Sequence, residues 1–269
     1  EHGYDLPLFV NTERGSFNKI TETVFYQKSI KLFAFQFGVS DSGRDIGADI
    51  KQRMWPSLAI ALPSLLLGLL VNIFAALMMV LFRHSYLEFW GVVACVVIMS
   101  ISALFYIIGG QFLFSKLLKL VPISGFGSGI DALKFLILPI VISVVSGLGS
   151  GGRWYRALFI EEVEKDYVIT ARAKGLSETQ TLFRHVLGNA MIPILTGVVV
   201  VLPLLFMGSL IMESFFSIPG LGSYTIDAIN RQDFAIVRSM VFLGSVLYVI
   251  GLLLTDICYT LVDPRVKLL

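Results

Sequence analysis

The run WPSLAIALPSLLLGLLVNIFAALMMVLF, residues 55–82, contains no charged side chain. About 20 apolar residues in helical form cross the hydrocarbon core of a bilayer, so this run is long enough to span it. Pro56 falls in the first turn of the run, where a missing N–H costs little. Pro63 lies deeper and predicts a kink. Arg83 and His84 end the run. The rest of the chain agrees with this reading. Of 269 residues, 56% are hydrophobic and 15% charged, whereas soluble domains carry about 25% charged residues. Mean hydropathy is +0.81. The fold class is all-α, a polytopic membrane protein.

Four further apolar runs follow. The second covers residues 89–114, with Trp90 near one end and Lys116 and Lys119 past the other. The third, 135–149, is shorter and runs into SGLGSGG and Arg153. The fourth covers 191–212 and the fifth 236–259, with Asp256 near its end. Residues 1–54 are mixed and polar. There Asp41 and Ser42 are expected to cap a short helix, 43–54, whose Ile46, Ile50 and Met54 recur at i, i+4 and i+8. That stripe suits a helix lying on the membrane surface or on a small folded segment. The chain thus divides into an extracytoplasmic segment, 1–54, and a transmembrane domain, 55–269.

Basic loops stay on the cytoplasmic side. With five spans, one side receives Arg83, the cations of 153–190 and the tail's Arg265 and Lys267. The other receives Lys116, Lys119, Lys134, Arg231 and Arg238. The first is richer, which puts residues 153–190 in the cytoplasm and the N-terminal segment outside. Such an orientation needs one more helix before Glu1, so six spans are expected in all.

The net charge of +2 gives no argument for nucleic acid. Cys95 and Cys258 lie in apolar runs and read as buried thiols. No phosphate loop with its lysine occurs, so the glycines of 147–152 read as helix-packing residues. His2, His84 and His185 are scattered, and no metal spacing or nucleophile motif is present. No metal and no cofactor is expected. The spans also lack carboxylates or histidines near their middles, where ion-coupled carriers place them. Glu213 and Asp256 sit at span ends, where capping or snorkelling accounts for them. An autonomous channel or ion-coupled carrier, and an intramembrane enzyme, are the competing classes; each needs groups that these spans lack. If the chain moves a solute, another subunit supplies the energy.

One polar island remains, DYVITARAKGLSETQTLFRHVLGNAMIP, residues 166–193. Ala171 and Ala173 permit close approach, Gly175 permits a corner with positive φ, and Arg172 and Lys174 offer charge. Docking into a partner's cleft and lying as an interfacial helix on this protein alone fit equally well. The residues resemble the cytoplasmic EAA loop of permease subunits of binding-protein-dependent ABC importers, in the oligopeptide/dipeptide/nickel branch, whose loops read close to DYVxTARAKGL…HxLxNAxxP. ESFFSIPGLG, residues 213–222, resembles that branch's motif between the last two spans. Asp256, Tyr259 and Asp263-Pro264-Arg265 resemble its D-x-x-Y-x-x-x-DPR ending. FGVS at 37–40 and RMWPSL at 53–58 resemble the outer segment of its B-type permeases. Around Asp233 the pattern departs, with Gln232 and Ala235 where Arg and Pro are usual, and Leu252 stands where Asn is common.

The resemblance implies the type I importer permease fold. It implies a second permease subunit, two ATPase subunits below, an extracytoplasmic peptide-binding protein and a bacterial inner-membrane location. The coupling loop would cover about 160–192. Thr170, Ala171, Arg172, Ala173, Lys174 and Gly175 would seat in the ATPase, flanked by Glu178 and Arg184, and Asn189 and Pro193 would join the lever to the fourth span. An outer loop, about 213–235, would hold Glu213 and a rigid turn at Pro219, Gly220 and Gly222. Leu202 to Met207, with Pro203, could form an apolar gate or simply pack. ATP hydrolysis would belong to another subunit, so this chain is expected not to be an enzyme.

Overall fold

The computed structural model describes residues 7, 9, 23–127 and 129–262. Among these the regular structure is helical, apart from one isolated bridge between Val39 and Asp45. Helix α1 runs from Ile46 to Leu81. Its cap is Asp45, whose carboxylate accepts from the Gly47 and Ala48 amides at 2.7 and 3.2 Å, satisfying two of the four donors left open at a helix start. The expected surface helix therefore does not exist as a separate element. Its residues form the first turns of α1, and the boundary at 54/55 falls inside a continuous helix. Ile46, Ile50 and Met54 pack against Leu221, Tyr224, Ala228, Ile236 and Met240, so the stripe faces protein instead of lipid headgroups.

The second apolar run is broken. Helix α2, Tyr86–Ser100, and helix α3, Ala103–Gly110, meet at 88°, and α3 continues through a π-helical stretch to Leu117. Helix α4, Ala132–Val163, is much longer than its apolar core. It stays helical through SGLGSGG because those glycines sit against neighbours. A Cβ at Gly149 would lie 2.6 Å from the Cys95 carbonyl oxygen, and one at Gly151 would lie 2.5 Å from the Asn72 side chain. Helix propensity lost to glycine is thus offset by close helix approach.

After α4 come α5, Asp166–Ala173, and α6, Glu178–Thr181, which passes through a π turn into α7, Leu187–Leu204. Short α8, Leu210–Phe215, and amphipathic α9, Leu221–Arg231, precede α10, Phe234–Val262. Among the described residues, four helices are long and apolar enough to cross a membrane, and the bent α2–α3 pair makes a fifth if it counts as one span. The packing decides that it does. Near one face Ile60 of α1 meets Leu138 and Ile142 of α4, and near the other Leu77 and Val80 meet Phe159 and Val163. Helices α1 and α4 therefore run parallel, which requires the chain between them to return across the bilayer. Five crossings result among the described residues, as the five apolar runs predict.

Candidate functional site

Two polar constructions stand at opposite ends of the bundle. The first is the island. Val168 of α5 and Leu182 and Val186 beyond the corner are buried in a cluster with Ala76, Leu77, Val80, Phe159 and Val163. Helices α5 and α6 are thereby seated on the ends of α1 and α4. The corner between them is made by Gly175 at φ +83°, a conformation in which a side chain is strained, although a Cβ there would meet nothing within 4 Å. Ser177 restarts the helix with a capping box: its hydroxyl accepts from the Gln180 amide, and the Gln180 side chain accepts from the Ser177 amide at 3.2 Å.

Of the sequence-predicted residues, Thr170, Arg172, Ala173, Lys174, Gly175, Glu178 and Arg184 are exposed. Ala171 is 4% exposed and faces the protein's own core. Arg172 does not wait unpaired: its guanidinium meets Glu178 at 2.9–3.0 Å across the corner, an exposed pair of small energetic weight. Tyr167 ties the base of the island together. Its hydroxyl donates to Glu162 at 2.5 Å and receives a hydrogen bond from Asn189, and Lys165 also pairs with Glu162. Burial, then the hydrogen bond to Glu162, pushes the Tyr167 phenol up to about 12. Asn189 therefore links α5 to α7.

The second construction is a knot on the other face. Glu213 is 1% exposed, which corrects the expectation of a readily solvated carboxylate at a span end. Its oxygens accept from the Ser209 amide at 3.2 Å and the Ser223 amide at 3.1 Å, with further bonds from the Ser57 hydroxyl and the Gly222 amide. Ser57 in turn accepts from the Leu221 amide at 2.8 Å. Glycine is required around it: a Cβ at Gly208 or Gly220 would lie 2.0 or 2.2 Å from the carboxylate, and one at Gly222 would strike the Ser209 backbone. Pro219 is exposed beside this knot. Residues of α1, α8 and α9 are thus pinned at one carboxylate, a burial that holds because each oxygen has donors.

Sequence reasoning missed two further ties on this face. The buried Asp233 accepts from the Asp41 amide at 2.9 Å and the Ile236 amide at 3.2 Å, fastening the 39–45 segment to the start of α10. Tyr224 donates to Asp49 at 3.1 Å, while the Arg53 guanidinium lies over its ring. Burial and then Asp49 hold the Tyr224 phenol well above its ordinary range. Gln232, one of the departures from the resemblance, takes the left-handed conformation that closes α9. Asp256 is exposed near the end of α10. The Tyr259 side chain and Asp263, Pro264 and Arg265 lie outside the described residues. Cys95 and Cys258 are free thiols, and no metal-binding cluster occurs among the described residues.

Comparison with known proteins adds the following. The profile of the family described as "Binding-protein-dependent transport system inner membrane component" matches residues 74–268. The chain is 28% identical over 252 residues to the dipeptide transport system permease protein DppB of Bacillus subtilis, covering 93% of this chain and 80% of that one. It is 33% identical over 233 residues to the di/tripeptide transport system permease protein DppB of Pseudomonas aeruginosa, covering 78% and 69%. With the dipeptide permease DppB of Lactococcus lactis subsp. cremoris it shares 30% over 241 residues, covering 88% and 78%.

Proposed function

The chain belongs to the family of binding-protein-dependent transport system inner membrane components, and from that membership we propose that it is a pore-forming subunit of a peptide ABC importer. Its relatives bear the names of dipeptide and di/tripeptide permeases, and di- or oligopeptides are the substrate class. It pairs with a second permease subunit in the bacterial inner membrane. Two ATPase subunits bind the face that carries α5 and α6, and an extracytoplasmic peptide-binding protein docks on the face of the Glu213 knot.

The observation that carries this reading is the corner between α5 and α6. Its inner side is locked into the span ends by Val168, Ala171, Leu182 and Val186. Its outer side presents Thr170, Arg172, Ala173, Lys174 and Gly175. A push on such a corner moves the spans as rigid bodies, because packed interfaces shift between discrete arrangements and do not deform continuously. Arg172 and Glu178 face each other across the corner, and Arg184 flanks it. Two experiments test the reading. The chain should co-purify with an ATPase subunit encoded beside it. In the reconstituted complex, Gly175→Val should abolish peptide-stimulated ATP hydrolysis while the subunits stay assembled; stimulation equal to that of the unaltered complex would refute the coupling role.

A further inference from the structure

Between α1, α4 and the end of α7 lies a cavity of about 340 Å3, with Ile60, Ser64, Ser143, Leu204 and Leu205 among its lining residues and Glu213 at its edge. Its volume is within the ~300–1,000 Å3 of small-ligand sites. Along α1, Ser64 follows Trp55 by roughly 14 Å at about 1.5 Å per residue, close to half the thickness of a ~30 Å hydrocarbon core.

The two serines behave unlike their neighbours. A hydroxyl inside a membrane helix ordinarily donates back to a carbonyl three or four residues earlier. Ser146, Thr196, Ser239, Ser245 and Thr255 all do so, at 2.7–3.2 Å. The Ser64 hydroxyl is buried without any partner, and that of Ser143 makes no hydrogen bond among the described residues. They come from different helices and line the same space. Leaving a polar group unpaired away from water is costly, so the buried Ser64 hydroxyl, beside the unpaired Ser143 hydroxyl on the same cavity wall, marks a place where a solute supplies the missing partner. Glu213 is not a third: its oxygens are committed to Ser57, Ser209, Gly222 and Ser223, and it fixes the wall. The opposite wall includes Leu204 and Leu205, where α7 tightens into a 3-10 turn before Gly208 at φ +68°.

We propose that this cavity is a peptide-handling station of the translocation path, in which Ser64 and Ser143 hydrogen-bond the backbone amides of a passing peptide while the aliphatic walls take its side chains indifferently. The proposal rests on the reading of the chain as a peptide permease. It also recasts residues 202–207: Leu204 and Leu205 line a solute-sized space and are not only packing residues.

The test uses the whole importer complex in proteoliposomes, with Cys95→Ala and Cys258→Ala removing the native thiols, and tritiated dialanine and trialanine as probes. Ser64→Ala and Ser143→Ala should each lower uptake about fivefold, the weight of one lost hydrogen bond. Neither should lower the melting temperature, because an unpaired hydroxyl has been removed; a merely structural serine would show the reverse pattern. Ser64→Cys and Ser143→Cys should react with a small methanethiosulfonate, and peptide during turnover should slow that reaction. A thiol at exposed Leu67 should be indifferent to peptide. Peptide uptake by the unaltered complex together with thiols at 64 and 143 that ignore peptide would overturn the cavity assignment alone. Failure of the unaltered complex to accumulate either peptide would overturn the peptide reading, and the cavity with it.

Discussion

Replacing Glu213 by alanine should be the most damaging single change on the outer face. The carboxylate accepts from the amides of Ser209, Gly222 and Ser223 and from the Ser57 hydroxyl. Its removal strands three backbone donors at a point where the glutamate is 1% exposed. The hydroxyl can rotate to another acceptor, but the amides cannot. Each buried donor left without a partner costs about 1–3 kcal/mol, so the stranded amides together amount to a large fraction of the ~5–15 kcal/mol that holds a folded domain. Glu213→Gln keeps the shape and one acceptor oxygen but aims an NH2 at an amide, so about 1–3 kcal/mol is expected, one unsatisfied group's worth. In a Cys258→Ala background, Cys95, free and 3% exposed, provides the assay. A maleimide fluorophore added to detergent-purified protein reports the temperature at which that thiol becomes accessible. Gly208→Ala should fall nearly as far as Glu213→Ala, because its Cβ would occupy the carboxylate's place at 2.0 Å. A Glu213→Ala protein with the midpoint of the unaltered chain would show that the carboxylate is solvated and that the knot holds nothing together.

Two further outcomes follow from packing and from titration. Gly149→Val should lower the same melting midpoint by an amount set by overpacking, about 1–3 kcal/mol, since its Cβ would press on the Cys95 and Met99 backbone. Gly147→Val, with nothing within 4 Å, should leave it unchanged. Tyr167 has a folded pKa near 12 against an ordinary 10, so its neutral form is favoured by folding. The stability linked to it is complete below pH 10 and is lost as pH rises through about 12. Unfolding midpoints measured from pH 9 to 12 should therefore fall less in Tyr167→Phe than in the unaltered chain; identical slopes would contradict the buried Glu162 contact.

Apolar run length determined the class, the number of crossings and the place of the polar corner, because spanning helices need only local hydrogen bonds and an uncharged surface. Gly175 was legible for the same local reason. What escaped was non-local. The Ser57–Glu213–Ser223 knot joins residues far apart in sequence, and a carboxylate flanked by apolar residues looks the same from sequence whether water or amides receive it. The stripe of Ile46, Ile50 and Met54 carries a period but does not say what it faces, and here it faces α9 and α10. The glycines of SGLGSGG read as helix-packing residues, but which helices press on them was not legible, because the α2 backbone at Cys95 and Met99 and the α1 side chain of Asn72 are distant in sequence. The break between α2 and α3 carries no proline or glycine. Its sequence mark is the pair Ser100 and Ser102 around Ile101, a weak signal inside an uncharged run.

That break bears on biosynthesis. Open carbonyls at membrane depth cannot be left to lipid, and the Val96 and Ile98 carbonyls at this bend have partners near at hand. Ser100 donates to the Val96 carbonyl at 2.7 Å, Tyr106 to the Ile98 carbonyl at 2.9 Å, and the Ile101 amide turns back to Ile98. Every one of these groups has left the ribosome within a few residues of the others. The right-angled segment can therefore form these bonds as it enters the bilayer, before α4, against which it finally rests, has been synthesised.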